Sequence, residues 1–306
     1  MPRYTMQDGE QLYVREIGQG QPVLVLSGLG MQSWQWLPFI ATHLKTFKFM
    51  IPDWRGFGGS GQCAIPAIDA ISSHWQDIEC LIKQLDLNDF ILMGYSMGAT
   101  TAMHGMQYGD LGRKLKAYLH IDQTPKIITD DTWAYGLLGA KHPEFKVLMQ
   151  QLAKFLHDHQ NYTQLRDLNP NQRNQLVALW LAFLSLQSNP PLTTKILKFA
   201  LNQPSLQQRL LPIQRLDYMR WYIDNYLYHH EDYREALSNL DCPATFFIGA
   251  QSTLYPAQGQ IQIAESVANS NHVLFKRSGH APLMTEPFKF SGELSNFLKR
   301  SSYRFQ

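Results

Sequence analysis

A serine between two glycines is the residue whose setting most clearly indicates chemistry. Residues 94–98 read Gly-Tyr-Ser-Met-Gly and match the pattern G-x-S-x-G, with Ser96 at the centre. The apolar stretch FILM precedes the pattern and the small-residue stretch GATTAM follows it, so a strand, a sharp turn and a helix are predicted. Glycines beside such a turn avoid side-chain collisions, and the helix directs its positive end at the turn. We predict that Ser96 is an exposed nucleophile; the alternative is an ordinary turn between strand and helix.

The second residue whose setting indicates chemistry is a histidine that could activate this serine. A serine hydroxyl is a weak nucleophile unless a base takes its proton. Among the eleven histidines, His280 is the one on a predicted loop just after a late strand, in the sequence SGHAP. We predict that it is the base. We expect His229 with His230, and His157 with His159, to be solvated surface residues. Neighbouring residues on a helix point in different directions and no third ligand is spaced nearby, so no metal site is predicted.

Three further motifs make the chain resemble the α/β-hydrolase superfamily over nearly its whole length. LSGLG is similar to the loop that forms half of the family's oxyanion hole, although Ser27 stands where histidine is usual. DWRGFGGS at residues 53–60 and SGHAP at residues 278–282 are similar to two other family loops, and the second carries the catalytic histidine. The resemblance implies a serine-esterase-like enzyme with a helical cap, no cofactor, and an oxyanion hole made by the backbone N–H groups of Leu29 and Met97.

The carboxylate of the expected Ser-His-acid triad is missing from its usual place. In the family it usually follows the strand that corresponds to ATFFIG, but Ser252 stands there and residues 242–264 contain no Asp or Glu. Asp122 ends the strand KAYLHID, which in the family's usual order lies between the nucleophile strand and ATFFIG, and some α/β-hydrolases carry their acid there. We predict that Asp122 is the triad acid. The alternatives are a structural turn role for Asp122, with Glu286 or Asp217 as the acid.

The elements that must position these residues alternate between strands and helices. Unbroken apolar runs such as PVLVLSG indicate parallel strands covered on both faces, and HWQDIECLIKQLDL has the apolar spacing of a helix. The predicted fold class is α/β, the α/β-hydrolase fold, with a doubly wound, mostly parallel sheet. A long segment before ATFFIG is predicted to be helical, for example at 172–187 and 216–228. We predict a core at 1–125 and 236–306 and a helical cap at 126–235.

The predicted cap is rich in large apolar side chains. Most of them must pack the cap onto the core, and a minority are expected to line an acyl pocket between cap and core. We predict substrate contacts from Trp133 and Trp180 in the cap and from Trp34 in the loop after Gly30. The sequence shows no pair of arginines placed to bind a phosphate or carboxylate. The expected substrate is therefore a compact, mainly apolar carboxylic ester, lactone or thioester.

The composition argues against several other classes of protein. The 306 residues include 27 basic and 25 acidic side chains, a formal net charge of +2, without a basic cluster, so no nucleic-acid partner is expected. The three cysteines are too few and too scattered for a disulfide framework. Neither a signal peptide nor an apolar run of membrane-spanning length is present, so we expect a cytoplasmic protein with no membrane partner. The oligomeric state is left open.

Two functions other than ester hydrolysis are possible from the sequence. A ligand-binding or signalling protein on the same fold, with a degenerate triad, would explain the serine at position 252. A dinucleotide-dependent oxidoreductase would explain Gly56, Gly58 and Gly61, which have the spacing G-x-G-x-x-G. That motif needs a helix at its end, however, and the following QCAIPAIDA is a poor helix start. We expect Asp53 and Arg55 in the same loop to orient neighbouring loops.

Overall fold

A single sheet forms the centre of the molecule. A computed structural model describes residues 2–186 and 215–302. Within this part of the chain the strands are β1 (Arg3–Thr5), β2 (Gln11–Gly18), β3 (Gln21–Leu26), β4 (Phe47–Pro52), β5 (Phe90–Tyr95), β6 (Leu115–Ile121), β7 (Ala244–Gly249) and β8 (Ser270–Phe275). Their order in the sheet is β1-β2-β4-β3-β5-β6-β7-β8. Strands β3 to β8 run parallel, and β1 and β2 are antiparallel additions at one edge.

Helices connect the strands. In the described residues the α-helices are α1 (Leu37–Ile40), α2 (Ala70–Gln84), α3 (Met97–Tyr108), α4 (His142–Asp158), α5 (Pro170–Leu186), α6 (Leu216–Tyr228), α7 (Arg234–Ser238), α8 (Ala257–Ser266), α9 (Pro282–Thr285) and α10 (Pro287–Ser302). Short 3₁₀ helices add to these at Ser33–Trp36, Ala41–His43, Gly58–Ser60, Leu111–Lys114, Gly139–Lys141 and Leu165–Asp167.

The central parallel strands β5 and β7 are buried on both faces, which explains their mostly apolar sequences. Every residue of β5 and β7 is buried. Alternate residues of β5 belong to two different hydrophobic clusters: Leu92 packs with the cluster that contains α2 and α3, and Ile91 with the cluster that contains α10. Because consecutive side chains of a strand point to opposite faces, helices cover both sides of the sheet. The predicted doubly wound, mostly parallel α/β sheet is confirmed.

Helix α3, which follows the candidate nucleophile, is positioned by close packing against α2. The side chain of Asp69 caps α2 by accepting a hydrogen bond from the N–H of Ser72 at 3.0 Å. Trp75 of α2 lies directly against Gly105 within α3 and against Gly109 at the end of α3. A methyl group added at Gly105 would lie 2.4 Å from the Trp75 ring, and one added at Gly109 would lie 2.5 Å from it. The glycines therefore allow the two helices to approach closely.

The segment between β6 and β7 contains the helices α4 to α7. Helices α5 and α6 match the two helices predicted at 172–187 and 216–228, except that residue 187 lies outside the described residues. The predicted boundary between residues 235 and 236 falls inside α7, and the extent of the cap as a domain stays a prediction. Helices α4 and α5 pack against each other, and α4 also packs against α6.

Helix α6 is joined to the core by hydrogen bonds to one core loop. The hydroxyl of Tyr218 donates to the carbonyl oxygen of Cys63 at 2.6 Å. The indole of Trp221 donates to the carbonyl oxygen of Ile68 at 2.8 Å. These bonds satisfy two carbonyl groups of the loop and fix the helix against it.

Three buried histidines are kept neutral in the folded protein. Burial lowers the pKa of His74 to about 3, and the pKa values of His104 and His120 to about 4. His74 contacts the hydroxyl of Tyr222 and His104 that of Tyr233, at 3.0 and 2.9 Å. In the unfolded chain each histidine returns to its ordinary pKa of 6.5. The unfolded state therefore binds more protons below that pH.

We expect the free energy of unfolding to decrease as the pH falls below about 6.5, with a slope of up to about 1.4 kcal/mol per pH unit for each such histidine. Urea unfolding between about pH 7 and pH 5 measures this slope. His104→Gln should reduce this slope by the contribution of one histidine. His272→Gln, at an exposed position, should leave the slope unchanged. An unfolding free energy that is constant over this range would contradict the prediction.

Candidate active site

Ser96 lies at the sharp turn between β5 and α3. Its backbone has φ +52° and ψ −122°, a conformation that costs energy for a residue with a side chain. The two neighbouring glycines have no room for a Cβ atom. At Gly94 it would lie 2.8 Å from the Cα of Ala99, and at Gly98 it would lie 2.0 Å from the carbonyl oxygen of Leu26. The structure therefore gives a steric reason for both glycines of the motif.

Ser96, His280 and Asp122 form one hydrogen-bonded chain. The Oγ of Ser96 lies 2.9 Å from Nε2 of His280, and Nδ1 of His280 lies 2.9 Å from Oδ1 of Asp122. A carboxylate only accepts hydrogen bonds, so Nδ1 carries the proton and Nε2 accepts the bond from the serine hydroxyl. The three residues come from different loops at the carboxyl ends of parallel strands, where sites of open α/β sheets lie.

The carboxylate of Asp122 is fully buried, and both of its oxygens accept hydrogen bonds. Oδ1 also accepts a hydrogen bond from the hydroxyl of Ser252 at 2.8 Å, and Oδ2 accepts one from the N–H of Gly249 at 2.8 Å. Asp122 has φ +42°, and its own N–H donates to the carbonyl oxygen of Phe247 at 2.9 Å. Ser252, at the position where the family usually has its acid, is thus a hydrogen-bond donor to the carboxylate of the neighbouring strand.

The other candidate acids have different partners. Glu286 accepts hydrogen bonds from the hydroxyl of Ser278 at 2.7 Å and from the N–H of Arg277 at 2.8 Å. Asp217 forms an ion pair with Arg215 at 2.5 Å at the start of α6. Neither carboxylate is hydrogen-bonded to His280 in the described residues.

Asp53 and Arg55 have the contacts expected of residues that orient loops. Asp53 accepts hydrogen bonds from the N–H groups of Ser33 at 2.6 Å and of Gly59 at 2.8 Å. Arg55 is buried and donates to Asp77 at 2.7 Å. Helix α2 begins only at Ala70, so the glycines of this loop do not open a helix as a dinucleotide site requires.

The loop that carries Leu29 is held by two tryptophans. The hydroxyl of Ser27 accepts a hydrogen bond from the indole of Trp36 at 3.0 Å, and its carbonyl oxygen accepts one from the indole of Trp54 at 2.7 Å. Within residues 2–186 and 215–302, the N–H groups of Leu29 and Met97 donate to no backbone acceptor. Both amides are therefore available to a bound group.

An apolar cavity of about 260 Å³ adjoins the serine and histidine. It is lined by Gly28, Leu29, Tyr95, Ser96, Leu137, Phe145, Met149, Trp180, Phe183, Met219, Tyr222, Ile223, Tyr226, Leu254, Tyr255 and His280. None of these lining residues from the described part of the chain is Asp, Glu, Lys or Arg. The cavity suits an uncharged, mainly apolar group.

The structure brings one of the three predicted tryptophans to this cavity. Trp180 is among the lining residues. Trp34 is 54% exposed, and its indole donates to the side chain of Gln32. Trp133 is buried, with its indole hydrogen-bonded to the hydroxyl of Thr124 at 2.9 Å. Neither Trp34 nor Trp133 lines the cavity. The side chain of Trp34 is half exposed to solvent, and that of Trp133 packs in the interior away from the cavity.

The ring of His280 lies between two tyrosines that the sequence analysis did not identify. Tyr95 stacks on it with the ring centroids 5.4 Å apart, and Tyr255 meets it edge-on at 5.2 Å. Burial raises the pKa values of both phenols above their ordinary range, so both hydroxyl groups stay protonated at neutral pH. Tyr255 lies three residues beyond Ser252, and this proximity to the usual acid position was the available signal.

The remaining histidines form no metal site. The side chain of His229 contacts the hydroxyl of Tyr233 at 2.6 Å. In the described ranges, no group of three or more His, Cys, Asp or Glu side chains is placed to hold a metal ion. The same ranges contain no helix that has both the length and the apolar character needed to cross a lipid bilayer.

The chain matches a known protein family over most of its length. The sequence model of the alpha/beta hydrolase fold family matches residues 21–287, and the chain belongs to this family. It is similar to the pimeloyl-[acyl-carrier protein] methyl ester esterase of Legionella pneumophila (strain Corby), with 24% identity over 292 residues, 94% of this chain and 99% of the relative. The enzyme of that name from Vibrio vulnificus (strain YJ016) is 23% identical over 283 residues, 92% of this chain and 95% of the relative.

Solved structures have the same fold at low sequence identity. An esterase from Exiguobacterium antarcticum has a TM-score of 0.69 and 20% identity, covering 97% of this chain and 99% of that chain. A thermophilic esterase from Thermogutta terrifontis has a TM-score of 0.69 and 18% identity, covering 98% of each chain. These two matches show the same fold, and the named relatives confirm the predicted enzyme class, a carboxylic ester hydrolase.

We expect Gly98→Ala to lower the free energy of unfolding by at least about 2 kcal/mol, because the added methyl group collides with a backbone oxygen of β3. Urea unfolding measures the change. The matched control is Gly292→Ala in α10, where no atom lies within 4 Å of the added group. That substitution should stabilise the protein by about 0.5–1 kcal/mol. Parental stability of Gly98→Ala would show that the close contact is absent.

Proposed function

We propose that this chain is a serine hydrolase that cleaves small, mainly apolar carboxylic esters through an acyl-enzyme. The observation that carries the proposal is the hydrogen-bonded chain from Ser96 through His280 to Asp122 beside an apolar cavity. A nucleophile, a base and a buried carboxylate in this arrangement are the parts that acyl transfer needs.

Each residue has a defined role in the proposed reaction. Ser96 Oγ attacks the ester carbonyl carbon while its proton passes to Nε2 of His280. Asp122 holds the imidazole in the required tautomer and stabilises its positive charge. The N–H groups of Leu29 and Met97 bind the developing oxyanion, each contributing roughly 3–4 kcal/mol of transition-state stabilisation. His280 then protonates the leaving oxygen, and water cleaves the acyl-enzyme by the same steps.

The cavity supports the proposed substrate class. Its described lining residues carry no formal charge other than a protonated His280, and aromatic side chains such as Trp180, Phe145 and Phe183 supply much of its surface. A cavity of about 260 Å³ is of a size to hold a short acyl chain. The relatives are named for a pimeloyl-[acyl-carrier protein] methyl ester, which is also a carboxylic ester. Lactones and thioesters would use the same residues.

The ligand-binding alternative depended on the absence of a carboxylate at position 252. Asp122 lies 2.9 Å from Nδ1 of His280, so among the described residues no observation favours a degenerate triad.

The proposal is tested by hydrolysis of short p-nitrophenyl esters by the parent protein and by Ser96→Ala. We expect turnover by the parent and none above background for the variant, because no other side chain in the described site replaces the attacking oxygen. A Ser96→Ala variant that retains parental turnover would overturn the proposed role of the serine. A parent protein that cleaves none of a broad panel of esters would overturn the function.

Asp122→Asn should lower kcat on the order of 10⁴-fold, as loss of a triad carboxylate does in other Ser-His-Asp enzymes. Ser252→Ala removes one donor to the carboxylate and keeps its charge, so we expect a loss within about tenfold. Steady-state kinetics on a p-nitrophenyl ester measure both changes.

The sharpest control returns the acid to the usual family position. In the double variant Asp122→Asn with Ser252→Asp, a carboxylate again lies beside residue 122 and close to His280, and we expect part of the lost activity to return. Near-parental activity of Asp122→Asn alone would place the acid elsewhere.

A further inference from the structure

Tyr255 is one of four tyrosines among the described residues that line the cavity, and the acyl-enzyme mechanism above gives it no role. It is 2% exposed and lies in the loop after β7. Its carbonyl oxygen accepts a hydrogen bond from the side chain of Gln260 at 2.9 Å, and its N–H donates to the hydroxyl of Ser252 at 3.4 Å. The ring meets His280 edge-on. The backbone is therefore held on both sides, and the phenol has a fixed position beside the imidazole.

Tyr255 lines the same cavity as Ser96 and His280. Burial raises the pKa of its hydroxyl group above the ordinary range, and the nearby side chains of Gln123 and Ser96 act in the opposite direction. The amide oxygen of Gln123 already accepts from the N–H of Thr124 at 2.7 Å, and its Nε2 donates to Thr100 at 2.9 Å. Gln123 can therefore only donate to the phenol oxygen, through its second N–H. The phenol proton is therefore left for an acceptor in the cavity.

The sheet order decides which substrate oxygen this proton can meet. Leu29, a proposed oxyanion donor, follows β3, which lies on one side of the nucleophile strand β5. Tyr255 follows β7, which lies on the other side of β5, as does the strand that precedes His280. A leaving oxygen must approach Nε2 of His280 to receive its proton. Tyr255 is therefore on the side of the leaving oxygen, and the oxyanion is on the side of Leu29.

From this placement we propose that Tyr255 is a catalytic residue whose hydroxyl donates a hydrogen bond to the leaving alkoxy oxygen; the inference rests on the proposed ester hydrolysis. When the tetrahedral intermediate collapses, the oxyanion electron pair re-forms the carbonyl and the bond from carbon to the alkoxy oxygen breaks. The alkoxy oxygen takes the proton from His280 Nε2, and Tyr255 keeps its own. Water that attacks the acyl-enzyme enters the same position, by microscopic reversibility.

The test compares two esters with the same acyl group and different leaving groups. An alkyl ester such as ethyl butanoate releases a strongly basic alkoxide, whereas p-nitrophenyl butanoate releases a weakly basic phenolate. For Tyr255→Phe we expect kcat/KM to fall on the order of 10- to 100-fold for the ethyl ester, the size of a hydrogen bond to a charged group. For the p-nitrophenyl ester we expect a fall of less than about threefold, and this retained activity also shows that the variant is folded.

Tyr226→Phe is the matched control, because it removes a phenol oxygen from the same cavity. It should change kcat/KM for both esters by the same factor. An equal loss on both esters for Tyr255→Phe, or no loss on either, would overturn the role of Tyr255. If the parent cleaves neither ester, or if Ser96→Ala cleaves both, the proposed function itself fails. This outcome differs from an equal loss of kcat/KM on both esters for Tyr255→Phe, which overturns only the role of Tyr255.

Discussion

The buried carboxylate of Asp122 is the interaction on which the organisation of the site depends. A buried charge is costly unless donors satisfy it, and here the donors are Nδ1 of His280, the hydroxyl of Ser252 and the N–H of Gly249. They come from the last residue of β7, the loop after β7 and the loop after β8, whereas Asp122 follows β6. One carboxylate thus joins three neighbouring loops at the carboxyl edge of the sheet, and it orients the imidazole toward Ser96.

The helices between β6 and β7 supply the other requirement, an apolar environment for this edge. Helix α6 is held over the core by hydrogen bonds from Tyr218 and Trp221 to carbonyl groups of the loop below. Tyr222 and Tyr226 of the same helix line the cavity. Because the described lining carries no Asp, Glu, Lys or Arg, hydrogen bonds from the proposed oxyanion donors act in a weakly polar environment, where they are stronger than in water.

Several features could be predicted because their signals are local. The strands β3, β5 and β7 are mostly apolar runs, and the G-x-S-x-G motif meets a steric requirement of a single turn. Residue type indicated less about the cavity. Trp34 and Trp133 are large and apolar, but residue type does not tell whether a side chain faces a cavity, the solvent or the interior, so their substrate contacts stay predictions. For the same reason Phe145 and Tyr255, which line the cavity, were not identified.

The sequence by itself determined the α/β class, the nucleophile turn and the absence of an acid at position 252, since each depends on residues close together in the chain. The tertiary structure decided the partners of Asp122, which is separated from His280 by 158 positions and from Ser252 by 130. It also decided which cap side chains line the cavity. These contacts depend on how distant segments meet, and local composition does not specify the distances between atoms on separate strands and helices.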